Sequence, residues 1–319
     1  MKAVNENMLN KNLFFLVFIL TSSFDSPAQN NMETVVFELD GYERSYKFYV
    51  PEDYSKSKTY PLVFVLHGGA GTANRMLRLT RARFNQLAAR DGFIAVYPQG
   101  YEKSWNDGAR DTFGVARNLN IDDIAYFKKV ITDLDSKVNV DHRNIFVCGI
   151  SNGGFMAQRL AFECSKKIKA IGVVAANLSV VQSQKKYPEN PVPAIFINGT
   201  EDPLVPYNGG AVTVFRQKRG EIQSVEKTIE IWRDINGCTQ TTQKNEFPDI
   251  DKNDACTAEK TVYQNQENPA QKVIAIKVTG GGHTWPGTQQ YLPKRIVGNT
   301  NQDFNACDEI WSFFKSLIN

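Results

Sequence analysis

The sequence has few of the residues that metal sites and disulfide frameworks require. It contains three histidines and five cysteines among 319 residues, and it has neither an H-E-x-x-H pattern nor a paired-cysteine zinc spacing. Its formal net charge of +3 is too small to indicate a nucleic-acid partner. We therefore expect no metal, no cofactor and no nucleic acid, while oligomeric state is left open.

Long apolar runs are also lacking. The longest, residues 13–20, is well below the ~18 to 20 residues that span a bilayer. It follows Lys2 and Lys11 and precedes a small-residue site ending at Ala28. This order predicts a signal peptide over residues 1–28, and hence secretion to the periplasm or the medium without a stable membrane anchor. A short anchor is the alternative, and the length of the run argues against it.

Secretion would place the five cysteines in an oxidising compartment, where disulfides form. Cys148 lies inside an apolar run, which favours a buried thiol. Cys238 and Cys256 flank a polar stretch rich in Asn and Asp, the kind of long loop that a disulfide restrains, so they are the preferred pair. Cys164 and Cys307 could be free or paired.

The remaining chain alternates short apolar runs with helical patterns. No internal repeat occurs, and no linker rich in Pro, Gly, Ser or Thr. Alternation of this kind predicts an α/β fold, with a mostly parallel central sheet and helices on both faces. We expect residues 29–319 to form a single catalytic domain, with a surface loop insertion near residues 239–271. The predicted strands are "YPLVFVLHGG", "GFIAVYPQG", "RNIFVCGIS", "KAIGVVAAN", "VPAIFINGT" and "KVIAIKVTG".

A serine stands between two glycines in "CGISNGGFMAQRL". A predicted strand ends just before Ser151 and a predicted helix begins just after it, which is the setting of a nucleophile elbow. Gly149 and Gly153 leave room for the hydroxyl to project above the sheet. A tight turn in a nucleotide-binding fold is the alternative, but the glycine spacing is not G-x-G-x-x-G and no phosphate-binding lysine follows.

A serine nucleophile needs a base, and few histidines are available. His283 follows the last predicted strand in "TGGGHTWPG" and is the predicted general base. His67 is expected to be structural, and His142 to lie on the surface. Asp202, in a turn after another strand, is the predicted partner of His283.

The chain order Ser, Asp, His is that of the α/β-hydrolases. Asp107 is the rival acid, but it precedes Ser151 in the chain and breaks this order. The backbone N–H groups of Gly69 and Asn152 are the predicted oxyanion donors, since Asn152 follows the nucleophile and Gly69 lies in a glycine-rich loop after an early strand.

Several segments together resemble one family, and they are "LHGGAGTA", "VYPQG", "SWNDG", "DDIAYF", "VDHRNIFVCGISNGGFMAQRLA", "NGTEDPLVPYNGG" and "GGGHTWPG". From about Tyr46 to Phe314 the chain is similar to the secreted feruloyl esterase and polyhydroxybutyrate depolymerase group of α/β-hydrolases. The resemblance implies that Ser151, Asp202 and His283 form a catalytic triad.

The same resemblance assigns further residues. It implies that Trp105 and Trp285 form a substrate-facing wall and that Asp122 and Asp123 are structural. It also raises the expectation of a disulfide, because relatives carry cysteines at the positions of Cys238 and Cys256.

The resemblance does not specify which ester is the substrate. Polyester depolymerases of the group typically append a linker and a polymer-binding domain, and neither is seen here. We therefore expect a serine carboxylesterase acting on feruloyl or acetyl esters of plant polysaccharide. A polyhydroxybutyrate depolymerase is the alternative, and a non-catalytic carbohydrate-binding surface protein is a remote one.

Overall fold

The computed structural model describes residues 31–109, 114–214 and 217–318. The predicted signal peptide lies outside them, so cleavage and secretion stay predictions. Within the described ranges, no helix is both long enough and apolar enough to cross a membrane.

The strands and helices alternate as the apolar pattern predicts. The strands are β1 (Met32–Leu39), β2 (Tyr42–Tyr49), β3 (Tyr60–Leu66), β4 (Ile94–Pro98), β5 (Val140–Ile150), β6 (Ala170–Val174), β7 (Ala194–Gly199), β8 (Gly210–Val214), β9 (Gln217–Ile222), β10 (Gln240–Glu246), β11 (Thr257–Gln264) and β12 (Lys272–Thr279). The helices are α1 (Ala73–Leu79), α2 (Arg83–Asp91), α3 (Val115–Asn118), α4 (Asp123–Asp135), α5 (Asn152–Glu163), α6 (Val180–Ser183), α7 (Val225–Asn236), α8 (Lys294–Val297) and α9 (Ala306–Lys315).

One large sheet organises the described residues. Its strand order is β1-β2-β4-β3-β5-β6-β7-β12-β11-β10, and β8 pairs with β9 in a separate hairpin. The strands from β4 to β12 in this order are mutually parallel, whereas the pairs at both margins are antiparallel. The predicted mostly parallel α/β fold is confirmed.

The central strands are buried on both faces because side chains alternate across the sheet. In β3, Leu62 and Phe64 enter the core beneath α4, α5 and α7. Val63 and Val65 enter the opposite core beneath α1, α2 and α9. A continuous apolar run is therefore what this sheet needs, since each neighbouring residue meets a different layer of helices.

The stretch "RMLRLTRARFNQLAARDG" reads as one helix in sequence, but the structure divides it into α1 and α2. Arg81 and Ala82 lie between the two helices with φ of 50° and 52°. A left-handed backbone cannot continue a right-handed helix, so the chain turns there. The apolar spacing did not reveal the break.

The expected loop insertion near residues 239–271 contains two β-strands. β10 and β11 form an antiparallel pair that extends the sheet beyond β12. Every residue of β10 is exposed, and most of β11 is only partly buried. Polar residues predominate because a strand at the margin of a sheet has little to pack against, and this concealed the hairpin in the sequence.

The predicted disulfide between Cys238 and Cys256 is wrong, because both thiols are free and buried. Cys238 precedes β10, whose first residue pairs with Gln264 at the end of β11. Cys256 immediately precedes the start of β11. The length of that strand, about 24 Å, therefore separates the two cysteines, whereas a disulfide joins Cα atoms no more than about 7 Å apart. Cys148 is buried, as predicted.

The parallel strands bring the predicted site residues to one edge of the sheet. His67 follows β3, Ser151 follows β5, and His283 lies four residues beyond β12. Asp202 lies three residues beyond β7. Carboxyl ends of parallel strands meet on the same side, which is where ligands bind in open α/β sheets.

Candidate active site

Ser151 lies at a sharp turn between β5 and α5. Its backbone has φ 55° and ψ −124°, a combination that residues with side chains rarely adopt and that costs about 1–3 kcal/mol. The turn is held by the Ser151 N–H, which donates to Val174 O at 2.9 Å, and by the Phe155 N–H, which donates to Ser151 O at 2.9 Å. The serine thus occupies a strained strand-to-helix turn.

The two glycines that flank the serine permit this turn through close backbone approach. A Cβ at Gly153 would lie 2.6 Å from His67 O, and a Cβ at Gly149 would lie 2.7 Å from the backbone of Gly153. Both distances are too short for a real side chain. The G-x-S-x-G spacing therefore reflects the packing of β3, β5 and α5 around Ser151.

His283 and Asp202 form a buried hydrogen-bonded pair. His283 Nδ1 lies 2.8 Å from Asp202 Oδ2, and the exposed fractions of the two side chains are 5% and 2%. Asp202 Oδ1 accepts from the N–H groups of Leu204 and Val205, each at 2.8 Å. The carboxylate is fixed at both oxygens, so it orients the imidazole with Nε2 remaining for another partner.

The loop that carries His283 is fixed by backbone contacts. The His283 N–H donates to Val297 O at 2.5 Å, and the Gly282 N–H donates to Asn299 O at 2.9 Å. A Cβ at Gly282 would lie 2.0 Å from Val297 O, so only glycine allows this approach. The glycine-rich sequence before His283 therefore has a steric cause.

Ser151 and His283 line the same cavity. Among the described residues, no hydrogen bond joins the Ser151 hydroxyl to the imidazole. Such bonds are often long without substrate and tighten in the reacting complex. The chain order Ser, Asp, His thus corresponds to a cavity lined by Ser151 and His283, with Asp202 hydrogen-bonded to His283 from outside the lining.

The predicted oxyanion donors lie next to the serine. A Cβ placed on Gly68 would contact Ser151 Cβ at 3.4 Å, and one placed on Gly69 would contact Asn152 Cβ at 3.8 Å. Asn152 begins α5, so its N–H has no carbonyl partner within the helix. Gly69 and Asn152 both line the cavity, which is the arrangement an oxyanion site requires.

The two tryptophans predicted to face substrate differ in position. Trp105 lines the cavity, although it is fully buried, and its Nε1–H donates to His67 O at 2.8 Å. Trp285 is fully buried as well, and it packs in the core against Phe84, with ring centroids 6.3 Å apart. It does not line the described cavity. The expectation that Trp285 is a substrate wall is wrong, because its ring packs in the core against Phe84 and does not face the described cavity.

Asp107, the rival acid, serves a different partner. Its carboxylate accepts from Asn152 Nδ2 at 2.7 Å and from Arg117 at 2.5 and 2.9 Å. Asn152 Oδ1 in turn accepts from the Trp105 N–H at 2.8 Å. The loop containing "SWND" therefore clamps the side chain of the residue after the nucleophile, a role that the sequence did not reveal.

The two acids at the start of α4 have structural contacts, as expected. Asp122 caps α4 by accepting from the Ala125 N–H. Asp123 binds Arg44 at 2.6 Å and accepts from the Asn106 N–H at 2.7 Å. Asp123 thus fixes the loop that holds Asn152.

His67 is buried and His142 lies on the surface, as the sequence predicts for His142. His142 is half exposed within β5, and it contacts Asp135 at 2.9 Å. His67 is buried, with Nδ1 bonded to Gly68 O at 2.8 Å and Nε2 accepting from the Gly100 N–H at 3.0 Å. This pattern fixes a neutral tautomer, and burial lowers the pKa of His67 to about 4.

This pKa predicts acid sensitivity. Between about pH 6.5 and pH 4 the unfolded chain binds a proton on His67 that the folded chain does not, so the free energy of unfolding falls as pH falls. From pH 7 to pH 5 we expect His67 to account for a loss of about 2 kcal/mol. Urea unfolding of wild type and His67→Gln at pH 7 and pH 5 measures the loss that His67 causes. Other titrating groups contribute equally to both proteins, so the difference between the two losses belongs to His67. Identical losses in the two proteins would show that His67 is not the cause.

Tyr291 is a site residue that the sequence reasoning missed. Its hydroxyl donates to His283 O at 2.9 Å, and it lines the cavity. Burial, with Asp202 nearby, raises the pKa of Tyr291 above its ordinary value, so the hydroxyl stays a donor. It stands in a polar stretch without regular periodicity, and no local pattern indicated its place.

The cavity has a volume of about 910 Å³, which is the size of a small-molecule site. Its lining combines the groups around Ser151 with apolar side chains from several elements, among them Met76, Phe155 and Leu204. The site can thus hold an uncharged carbonyl beside the serine with an apolar group against the wall.

Known proteins are similar to this chain in sequence or in fold. The protein named "Putative esterase NocK", from Nocardia uniformis subsp. tsuyamanensis, is 28% identical over 263 residues, covering 79% of this chain and 73% of NocK. Feruloyl esterase B of Piromyces equi is 26% identical over 239 residues, covering 73% of this chain and 41% of that enzyme. The solved acetyl xylan esterase from Aspergillus awamori has a TM-score of 0.58 at 14% identity, covering 89% of this chain and 98% of its own. The expected resemblance to α/β-hydrolase esterases is confirmed.

A family model matches as well. The family described as BAAT / acyl-CoA thioester hydrolase C terminal matches residues 122–285, just over half of the 319-residue chain. The matched region begins at the N-cap of α4, includes Ser151 and Asp202, and extends past His283. The chain belongs to the BAAT / acyl-CoA thioester hydrolase C-terminal family, on an α/β-hydrolase fold.

Proposed function

We propose that the protein is a serine carboxylic ester hydrolase that acts through an acyl-enzyme, with Ser151, His283 and Asp202 as its triad. The observation that carries the proposal is the strained Ser151 turn, opening on a cavity that His283 also lines while Asp202 holds Nδ1. A strained serine beside an oriented imidazole is the arrangement of an activated nucleophile.

The chemistry follows from this arrangement. Ser151 Oγ attacks the ester carbonyl as His283 Nε2 takes its proton, and the carbonyl oxygen becomes an oxyanion facing the N–H groups of Gly69 and Asn152. One side-chain donor in the oxyanion site of a protease contributes about 3–4 kcal/mol. The imidazolium then gives its proton to the departing alcohol, leaving the acyl group on Ser151. Water, deprotonated by His283, attacks the carbonyl carbon of this ester. The bond between that carbon and Ser151 Oγ then breaks, the imidazolium returns the proton to Oγ, and the carboxylic acid leaves.

The substrates that we propose are feruloyl or acetyl esters carried by plant polysaccharide. Relatives named feruloyl esterase and a structural neighbour named acetyl xylan esterase support this class. The apolar wall of the cavity fits an aromatic acyl group. Polyhydroxybutyrate oligomers present the same carbonyl and are the competing substrate class.

Pre-steady-state kinetics test the reaction type. With 4-nitrophenyl acetate we expect a burst of nitrophenolate close to one equivalent per enzyme, because the acyl-enzyme forms faster than it hydrolyses. The absence of any hydrolysis of this ester would overturn the proposal.

A substrate panel then tests the ester class. Methyl ferulate, acetylated xylan and short hydroxybutyrate oligomers are compared by kcat/KM, with a peptide amide as control. Higher values for the first two support the polysaccharide-ester assignment. A preference for the hydroxybutyrate oligomers would replace it.

A further inference from the structure

The cavity contains an excess of positive charge that the proposed chemistry does not use. Its described lining holds several basic side chains, and Glu102 is the one acid among the lining residues that the structure describes. The basic residues are Arg75, Arg78, Lys103, Arg117 and Arg219. The whole chain has 37 Lys and Arg against 34 Asp and Glu, so the excess is local to the cavity.

Part of this charge is already engaged by the protein. Asp107 binds Arg117 through two hydrogen bonds, and Arg75 donates to Ala70 O at 2.9 Å. Even when Asp107 is counted together with Glu102, the net charge of the described side chains around the cavity is positive. Such a field in a concave site concentrates anions.

Arg219 lies near Gly69, one of the two proposed oxyanion donors. Its Nη1 is 4.0 Å from the position that a Cβ on Gly69 would occupy, while Asn152 Cβ is 3.8 Å from the same point. The guanidinium therefore lies beside the proposed oxyanion donors. It is partly buried, and its planar fork matches the oxygens of an anionic group.

We propose that the cavity selects esters carrying an anionic group, such as a carboxylate, near the scissile bond, and that Arg219 is the residue that recognises it. The inference rests on the proposed ester hydrolysis and names a substrate class for the same site. The anionic group lies on either the acyl or the alcohol half of the ester. Arg78 and Lys103, both exposed, attract it at the cavity mouth.

Two matched pairs of esters test this inference. Mono-4-nitrophenyl adipate is compared with 4-nitrophenyl hexanoate, so that a carboxylate replaces the terminal methyl group of an acyl chain of the same length. 4-Acetoxybenzoate is compared with its methyl ester, so that the charge lies on the alcohol half. Each kcat/KM is divided by the uncatalysed rate, which removes differences in ester reactivity.

We expect the anionic ester to be favoured about tenfold in at least one pair, and the pair that shows it identifies the half that carries the charge. The ratio of the corrected kcat/KM values for the anionic and the neutral ester should fall towards one at about 1 M salt, because salt screens the charges. Arg219→Gln should lower the ratio about tenfold. Arg143→Gln, a control at an exposed arginine on the opposite edge of the sheet, should leave it unchanged.

The possible outcomes separate the two proposals. Hydrolysis of the neutral esters with no anionic preference in either pair overturns this inference and leaves the proposed function standing. A preference that neither salt nor Arg219→Gln reduces also overturns it, and the salt measurement needs no variant to fold. Failure of the wild type to hydrolyse any of the esters contradicts the proposed function itself, and this inference with it.

Discussion

Ser151→Ala is expected to lower kcat for 4-nitrophenyl acetate by at least about 10⁴-fold and to abolish the burst. The hydroxyl oxygen, Oγ, is the only non-hydrogen atom removed, and it is the atom that we propose to bond to the acyl group. Alanine retains a Cβ, so the strained turn with φ 55° is unchanged in its steric demands. Stopped-flow and steady-state assays of the purified variant measure both effects.

The control for this substitution is Ser136→Ala. Ser136 is exposed at the C-terminus of α4, where its hydroxyl donates to Asp133 O at 2.7 Å. We expect wild-type turnover from it. Circular dichroism of both variants tests whether they fold as the wild type does, so that a loss of turnover can be attributed to the missing hydroxyl. A Ser151→Ala enzyme with full turnover and a normal burst would place the nucleophile elsewhere.

Asp202→Asn is expected to cost about 10²- to 10⁴-fold in kcat, the upper value being that of the equivalent substitution in a serine protease. Asp202 Oδ2 accepts from His283 Nδ1 at 2.8 Å. An amide that presents its NH₂ there favours the tautomer protonated at Nε2, which cannot accept the serine proton. The KM for small esters should change little, because Asp202 does not line the cavity.

Glu201→Gln is the matched control for Asp202→Asn. Glu201 is the adjacent acid and is exposed, so its charge is solvated and we expect turnover within about twofold of wild type. Equal losses in the two variants would indicate a general effect of charge in this turn. A loss confined to Glu201→Gln would show that the acid had been assigned to the wrong residue.

The central fold could be predicted because its signals are local. Runs such as Leu62–Leu66 are apolar without interruption, and a strand covered on both faces requires that pattern. The positions of Ser151, Asp202 and His283 after separate strands then followed from the rule that parallel strands end at one edge. Their catalytic roles stay predictions until the variants are measured.

The errors arose where local pattern and tertiary environment disagree. Polar residues hid the β10–β11 hairpin, because an exposed edge strand lacks apolar alternation. Cys238 and Cys256 bracket that region in sequence but lie at opposite ends of β11. Trp285 is near His283 along the chain and yet turns into the core.

The sequence by itself determined the order of the central strands and the segments that end at the candidate active-site edge, because hydrophobic periodicity and glycine spacing are properties of neighbouring residues. The tertiary structure alone decided which distant side chains share the cavity. Arg219, Tyr291 and Asp107 lie far apart in the chain, and their places beside Gly69, His283 and Asn152 depend on how loops pack above the sheet. Such contacts have no fixed sequence separation, so no pattern within the chain encodes them.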